Sequence, residues 1–336
     1  MTGLKDKLTE FCLDTAKSLP EFYEEFDDEK EHSIRARLNE NVGKCFKRLA
    51  RGIYVATKGG ATAVIIEGDA WKSMELLEDS SVDTIITDSP YSCLNKHLAT
   101  GTTRKKSGSW SFKTADIDLA LLKEMHRVLK PGGHFFSFMP PDGSDTLDYT
   151  SEFIELARSL FQFNKRAVWD KVCIGMGYNL RNRHEQILFF SKGKRRKPCD
   201  LSIPDVLAYK RIAAHHRIHE AEKPVELLRA ILRFSCVSGD VALDMFAGSL
   251  SLAEAGLAEG VHTISVEVDG GMVKTSLLRR GLTIWRTKDE TKRRNGYHRT
   301  RHRTHKNTRQ LLRQQLTNSQ SGTHRKPCLH EDRRDP

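Results

Sequence analysis

Two short runs in this chain carry the residue types that a reactive centre needs. The first is Asp88-Ser89-Pro90-Tyr91, which follows the β-branched run at 82–87 (VDTIIT). A carboxylate, a backbone carbonyl and an aromatic ring presented together suit an exocyclic amino group on a planar base. Asp88 and the carbonyl of Ser89 can accept the two amino hydrogens, while Tyr91 can stack on the ring. The lone pair of such a nitrogen is delocalised into the ring. Two acceptors that draw its hydrogens out of the plane restore density at nitrogen, and positioning then supplies much of the acceleration. Pro90 stiffens the turn and cannot continue a strand. Alone, the same four residues also describe an ordinary exit from a strand.

The second run, Ala242 to Ser249 (ALDMFAGS), reads as a hydrophobic strand turning on Gly248 into a helix. Glycine lets backbone approach a ligand closely, and the amino end of a helix favours a carboxylate. The next strand ends at Glu267 and Asp269, where an acid commonly reaches ribose hydroxyls. Alone, this pattern fits many nucleotide-binding domains.

The elements around these runs must bring them together. Strand patterns are read at 63–69, 82–88, 134–139, 165–171, 186–193, 240–248 and 261–269. Helical patterns are read at 71–80, 118–130, 151–161, 224–236 and 251–260, the second of them ended by Pro131-Gly132-Gly133. Such alternation implies an α/β fold, a doubly wound and mostly parallel sheet with helices on both faces. Ligands of these sheets sit outside the carboxyl ends of the strands, where the tetrapeptide beginning at Asp88 stands. Residues 1–50 read as charged helix with a solvated surface. Residues 92–114 are polar and form a loop.

Composition narrows the partners. The chain has 336 residues and a formal charge of +11. From Arg286 to Pro336 there are fifteen Lys/Arg and five Asp/Glu, so the tail carries +10 and residues 1–285 about +1. A basic balance points to a polyanion, nucleic acid first. Seven widely spaced cysteines, none in a C-x-x-C pair, indicate reduced thiols and neither a disulfide framework nor a zinc site. His215, His216 and His219 lack a metal-ligand motif, and no metal is expected. Neither Pro198-Cys199 nor Pro327-Cys328 follows a strand as a cysteine nucleophile would. No apolar run has the length of a signal peptide or a membrane span, so a cytoplasmic protein is expected.

Five segments occur in a fixed succession: the tetrapeptide at 88–91, the helix at 121–133 (LLKEMHRVLKPGG), the strand at 183–193 (RHEQILFFSKG), the phrase at 219–228 (HEAEKPVELL) and the turn at 244–249 (DMFAGS). In this the chain resembles the permuted beta group of S-adenosylmethionine-dependent DNA amino-methyltransferases, in which a D/S-P-P-Y motif precedes a D-P-F-x-G-S-G motif. The resemblance covers roughly residues 60–285. It implies a Rossmann-like methyltransferase fold of permuted motif order, S-adenosyl-L-methionine as cofactor and double-stranded DNA as partner, with the target base flipped out. It gives Asp88, Ser89, Pro90 and Tyr91 the catalytic role. Asp69, Lys223, Asp244, Phe246, Gly248, Ser249 and Glu267 become the cofactor residues. Asp69 could instead cap the following helix, and Phe246 could belong to the core.

Family members with Asp at the first catalytic position mostly modify adenine N6, so Asp88 favours adenine. The alternatives are cytosine N4, adenine in RNA, and a non-enzymatic DNA-binding protein on a degenerate methyltransferase fold. Three positions depart from the family: Ser89 in place of the first Pro, Met245 in place of Pro and Leu250 in place of Gly, the last expected to crowd the cofactor loop.

Phosphate contacts are expected from Arg104, Lys105 and Lys106 after the tetrapeptide, and from Lys192, Lys194, Arg195, Arg196 and Lys197 in the basic linker, on the premise that both runs lie beside the site. The expected organisation is a helical accessory segment over 1–58, a catalytic domain over 59–286 with a short target-recognition insert at about 193–218, and a basic, disordered tail over 287–336. That short insert suggests a short target sequence or relaxed specificity. No restriction partner is evident, and a homodimer is left open.

Overall fold

Apolar residues that alternate along the strands fix the layers of this protein, because successive strand side chains point to opposite faces. The structure is a computed structural model that describes residues 3–13, 16–56, 60–91, 116–142, 147–175, 180–280, 282 and 285–288. In chain order the elements are α1 (Leu4–Phe11), β1 (Lys17–Ser18), α2 (Leu19–Glu25), α3 (Glu31–Glu40), β2 (Lys47–Ala50) and β3 (Ile53–Val55). There follow β4 (Ala63–Glu67), α4 (Ala70–Ser73), β5 (Val82–Thr87), α5 (Leu119–Val128), β6 (Leu129–Met139), α6 (Leu147–Arg158), β7 (Gln162–Asp170) and β8 (His184–Ser191). The last are β9 (Val206–Ala208), α7 (Val225–Ser235), β10 (Val241–Asp244), α8 (Ser251–Glu259), β11 (His262–Glu267), α9 (Gly270–Arg280) and β12 (Trp285–Lys288).

Among the described residues nine strands form one sheet in the order β12-β4-β11-β10-β5-β6-β8-β7-β9. From β12 to β6 every pairing is parallel. β8 runs the other way, antiparallel to both β6 and β7, and β9 joins β7 in parallel. The carboxyl ends of all strands but β8 therefore meet at one edge, as the α/β reading requires.

The two faces bury different halves of each strand. Ile85, Phe135, Leu188, Phe190 and Leu243 pack with Leu121, Leu122, Met125 and Val128 of α5 and with Phe153 and Ala157 of α6. Their neighbours Ile86, Phe136, Ile187, Phe189 and Ala242 pack on the other face with Leu227, Ile231 and Leu232 of α7 and with Leu252 and Ala255 of α8. The β6–β8 register sets Phe136 opposite Phe189, and their rings stack at 4.7 Å and 6°. Asp118 starts α5 by accepting from Leu121 N–H at 2.8 Å.

Several boundaries differ from the reading of the sequence. Residues 1–50 are not one surface helix. Three short helices and the small antiparallel sheet β1-β3-β2 enclose Leu8, Cys12, Phe22, Ile34, Leu38, Phe46 and Tyr54. The helical periodicity is cut by the Ser18–Glu21 capping box with Pro20 in the first turn, and by Gly43 and Gly52, both at positive φ. Ala16, Leu49, Ile53 and Val55 join the main core, so this segment packs directly on the large sheet. β6 begins at Leu129, ahead of the Pro-Gly-Gly run, and its pairing with β5 carries a register shift there. The helix expected over 71–80 shrinks to α4 and a 3-10 turn at Met74–Leu76. Strand β12 takes in Thr287 and Lys288, which the sequence assigned to the tail. Residues 289–336 lie outside the described residues, as does the loop with Arg104, Lys105 and Lys106.

Candidate active site

β5 and β10 are parallel neighbours, with Thr84 opposite Ala242 and Ile85 opposite Leu243. The tetrapeptide and the glycine turn therefore leave the sheet side by side. Thr87 Oγ1 donates to Asp244 Oδ1 at 3.2 Å, and Phe246 N–H donates to the same oxygen at 3.0 Å. Burial pushes the Asp244 carboxyl up to about 7, against those hydrogen bonds and with a further push from Asp88.

Gly248 turns the chain at φ +46°, and its N–H donates to Glu267 Oε2 at 2.7 Å. The other oxygen, Oε1, accepts from Asp269 N–H at 2.8 Å. Burial raises the Glu267 carboxyl above the usual glutamate range. Leu250, where the resembled family has glycine, stands in the left-handed region at φ +60°. Its side chain is buried among Ala63, Ile65, Ala247, Ala253 and Val273. Asp69 caps α4, its Oδ1 accepting from Lys72 N–H at 3.3 Å. Phe246 is half-buried against the core and meets Trp71 edge to face, ring centroids 6.1 Å apart.

On the other side of β5 the carboxyl edge holds a row of alternating charges. Lys223 Nζ donates to Asp88 Oδ2 and lies 3.2 Å from Glu185 Oε2, at the start of β8. Glu185 Oε1 is 2.6 Å from Lys171 Nζ, just after β7. The ammonium of Lys223 also faces two rings, Phe138 at 4.9 Å and Trp169 at 5.8 Å. Burial works against this ammonium, but the two carboxylates outweigh it and raise its pKa. Burial likewise pulls Glu185 upward, and Lys223 and Lys171 overcome it, holding Glu185 below its usual range. Asp88 is raised, because burial exceeds the pull of Lys223.

The two oxygens of Asp88 differ sharply. Oδ2 is engaged by Lys223, while Oδ1 is buried with no hydrogen-bond partner among the described residues. A buried carboxylate oxygen left unpaired is costly and calls for a missing donor. The carbonyl of Ser89 accepts from Tyr91 N–H at 2.8 Å and keeps a second lone pair. Tyr91 is buried, its ring 5.5 Å from that of Tyr149.

The segment at 218–223 staples the two halves together. Glu222 Oε2 accepts from Ile218 N–H at 2.5 Å, and Oε1 receives Arg280 Nη2 of α9. Arg280 is itself buried. Its Nε donates to the Ser249 carbonyl at 2.6 Å, its Nη2 to Ser251 Oγ at 2.9 Å and its Nη1 to Glu254. Glu222 thus holds the glycine turn while its neighbour Lys223 holds Asp88.

Asp88, Ser89, Pro90, Tyr91, Asp69, Lys223, Asp244, Phe246, Gly248, Ser249 and Glu267 all stand at or beside the carboxyl edge. Lys194, Arg195 and Arg196 do not. β8 runs antiparallel, so the linker after Ser191 emerges beside Gly132 and Gly133, at the amino edge. Arg196 Nη1 lies 3.3 Å from Asp83 Oδ1 and 3.3 Å from Asp240 Oδ2. The premise that this run adjoins the site is corrected by the direction of one strand.

Sequence reasoning also passed over Glu185 and Arg280. Glu185 had a legible signal, an acid two residues before an apolar strand core. Arg280, in the last turn of a helix, had none. Among the described residues no group of His, Cys, Asp and Glu is arranged to hold a metal ion, and no helix is long and apolar enough to cross a membrane.

A DNA methylase family model, of the N6/N4 methyltransferase group, matches residues 82–277. Type II methyltransferase M.HhaII of Haemophilus parahaemolyticus is 27% identical over 187 residues, 54% of this chain and 79% of that protein. DNA adenine methyltransferase YhdJ of Escherichia coli is 24% identical over 259 residues, 66% of this chain and 83% of that protein. Among solved structures, PvuII DNA methyltransferase (cytosine-N4-specific) superposes with a TM-score of 0.50 at 17% identity, over 67% of this chain and 88% of that one, a likeness of fold. The match spans both the tetrapeptide and the glycine turn, and the chain belongs to the N6/N4 DNA methylase family.

Proposed function

We propose that this protein transfers a methyl group from S-adenosylmethionine to the N6 amino group of an adenine flipped out of duplex DNA. The observation that carries the proposal is the buried Oδ1 of Asp88, unpartnered among the described residues, one strand away from the glycine turn and tied to it through Thr87 and Asp244. An amino hydrogen is the donor this oxygen lacks. The second amino hydrogen falls to the Ser89 carbonyl, and Tyr91 flanks the ring.

The residues on the other side of Asp244 suit the cofactor by their chemistry. Glu267 offers a carboxylate for ribose hydroxyls. The half-buried pair of Trp71 and Phe246 offers ring faces beside Asp69, and the Gly248–Ser249 turn can meet the amino acid moiety. When bound, the cofactor supplies an electrophilic methyl group on sulfur. Asp88 and Ser89 would orient the amine toward it, and Asp88 would take the proton that nitrogen sheds as the N–C bond forms and the methyl–sulfur bond breaks, its electron pair staying on sulfur as a neutral thioether.

Adenine is preferred over cytosine on the strength of Asp at position 88, and one relative is named an adenine methyltransferase. Phosphates would be met by the exposed Arg181, Lys210 and Arg211, in the segments after β7 and β9 on the site's own edge. The recognition insert is short, so we expect a short or relaxed target sequence.

The test uses unmethylated genomic DNA, labelled S-adenosylmethionine, wild type and Asp88→Ala, followed by mass spectrometry of the nucleosides. N6-methyladenine from wild type alone is expected. N4-methylcytosine would replace the base assignment, and no label in DNA would overturn the proposal.

A further inference from the structure

We infer that Lys223, held by Glu185, is a positioning residue for Asp88, fixing one carboxylate oxygen so that the other meets the amine, and is not a contact of the cofactor. This rests on the proposed reaction and departs from the role that family resemblance gives to Lys223.

Lys223 Nζ is enclosed. Asp88 Oδ2 and Glu185 Oε2 bracket it, Phe138 and Trp169 face it, and its side chain is 9% exposed. None of these partners belongs to the glycine turn or to β11. Its neighbour Glu222 makes the contact to the glycine turn through Arg280. Adjacent residues thus serve opposite halves of the site.

A carboxylate free to rotate could offer either oxygen. With Oδ2 bound to a fixed ammonium, only Oδ1 is left to accept, and its direction is set. Glu185 keeps the ammonium in place when a base arrives, and Lys171 in turn holds Glu185 through Oε1. Such a row positions a reactive carboxylate through groups that never touch the substrate.

The row also sets the pH at which Asp88 ionises. Asp88 is faced by Lys223, Glu185, Lys171 and, across β5, Asp244. Lys223 is faced by Asp88 and Glu185, with His219 of the same segment nearby. Loss of the Lys223 cation must raise the pH at which Asp88 becomes an acceptor, while loss of the Glu185 charge must lower it. A merely structural role predicts no such opposition.

The experiment measures single-turnover methyl transfer to unmethylated genomic DNA against pH, with S-adenosylmethionine affinity by calorimetry. The proteins are wild type, Lys223→Met, Lys223→Arg and Glu185→Gln. Lys223→Met is expected to lose roughly 100-fold in rate at pH 7, with the acid limb moved up by about one pH unit and cofactor affinity within about threefold of wild type. Lys223→Arg should recover at least tenfold of that loss. Glu185→Gln should move the limb the other way, a result that stands even if Lys223→Met fails to fold.

Wild type that methylates, with a Lys223→Met affinity for cofactor more than tenfold weaker and an unmoved limb, would overturn this inference alone. A limb unmoved in Glu185→Gln would do the same. A wild type that labels no DNA would remove the proposed reaction and this inference with it.

Discussion

Asp83 and Asp88 stand five residues apart on one strand path, about 16 Å from edge to edge of the sheet, and they live in opposite circumstances. Asp83, near the start of β5, has both oxygens taken. Lys130 Nζ lies 2.7 Å from Oδ1 and Arg196 Nη1 3.3 Å from it, while Val241 N–H donates to Oδ2 at 2.9 Å. Asp88, past the end of β5, is less hidden, its side chain 20% exposed against 5% for Asp83, yet has one oxygen paired and one buried without a partner among the described residues. Each pairs with a lysine, half-exposed Lys130 for Asp83 and buried Lys223 for Asp88. At the amino edge both Asp83 oxygens are engaged in a network that joins β5, β10 and the 192–197 linker, and it is Arg196 Nε that is buried without a partner among the described residues. At the carboxyl edge Asp88 Oδ1 and Glu185 Oε2 make no hydrogen bond among the described residues, with Lys223 Nζ 3.2 Å from the latter. The satisfied carboxylate serves the fold, and the unsatisfied oxygen of Asp88 implies a ligand.

The largest separation of the two edges should come from paired substitutions. Asp88→Asn keeps the shape but removes the charge and leaves one oxygen, which Lys223 can claim. It is expected to cost roughly 10³-fold or more in methyl transfer, with little change in denaturation midpoint because Glu185 still pairs with Lys223. Asp83→Asn should do the reverse. It removes the charge partner of half-exposed Lys130 and partly buried Arg196 and disturbs the acceptor of Val241 N–H, and is expected to cost about 1–3 kcal/mol of stability, with activity per folded molecule kept near wild type. Urea denaturation beside single-turnover rates checks both. An Asp83 variant that is stable but inactive would break the comparison.

Arg196→Ala sharpens it further, since sequence alone placed Arg196 against DNA. Its guanidinium joins Asp83, Asp240 and the Ser235 carbonyl. A loss of about 2–4 kcal/mol in stability is expected, with the salt dependence of DNA binding unchanged. Arg211→Ala on the carboxyl edge should instead lower the salt slope by about one phosphate contact and leave stability alone.

The carboxyl edge should also respond to pH. Asp244 has a folded pKa of about 7 against an ordinary 3.8. A carboxyl raised on folding binds its proton more firmly in the native state. The native state is therefore favoured below the unfolded value, and that advantage is lost as pH climbs from about 4 to about 7. Asp244→Asn removes the titration. Relative to that variant, the cofactor-free wild type should lose stability through this window by at most about 1.4 kcal/mol per pH unit. Parallel stability curves from pH 4 to 8 would contradict the burial of Asp244.

What could be read beforehand follows from how local each signal is. Near-continuous apolar runs mark β5, β6, β8 and β10 in the sequence because each strand buries both faces, and the strand end at Asp88 followed from them, whereas β10 stops at Asp244, short of the 240–248 reading. The N-terminal core stayed hidden because Leu8, Phe22, Ile34 and Leu38 are separated by acids and gather only after three chain reversals. The misplacement of Lys194, Arg195 and Arg196 has a single cause. A β8 parallel to its neighbours would have carried them to the site, and nothing in an apolar run states its direction. Lys223 shows the limit on roles. Its position in the phrase at 219–228 was legible, but its partner Glu185 lies 38 residues earlier and meets it only across the sheet.

The finest test at the carboxyl edge concerns Leu250. The sequence suggested that a leucine where the family has glycine crowds the cofactor loop. The structure divides that position into a backbone demand and a side-chain contribution. Its φ of +60° disfavours any residue with a Cβ by roughly 1–2 kcal/mol. The side chain, however, fills the cluster of Ala63, Ile65, Ala253 and Val273, so it contributes burial and does not occupy the turn. Leu250→Ala gives up the burial and keeps the strain, and is expected to cost about 2–5 kcal/mol. Leu250→Gly gives up the burial and relieves the strain, so it should be about 1 kcal/mol more stable than the alanine variant. Inside a helix the order would be the opposite. Both variants should hold S-adenosylmethionine within about threefold of wild type. A glycine variant that binds it tenfold more tightly would show that the leucine reaches the loop after all, and that strain at this edge bears on the ligand as directly as the unpaired oxygen of Asp88.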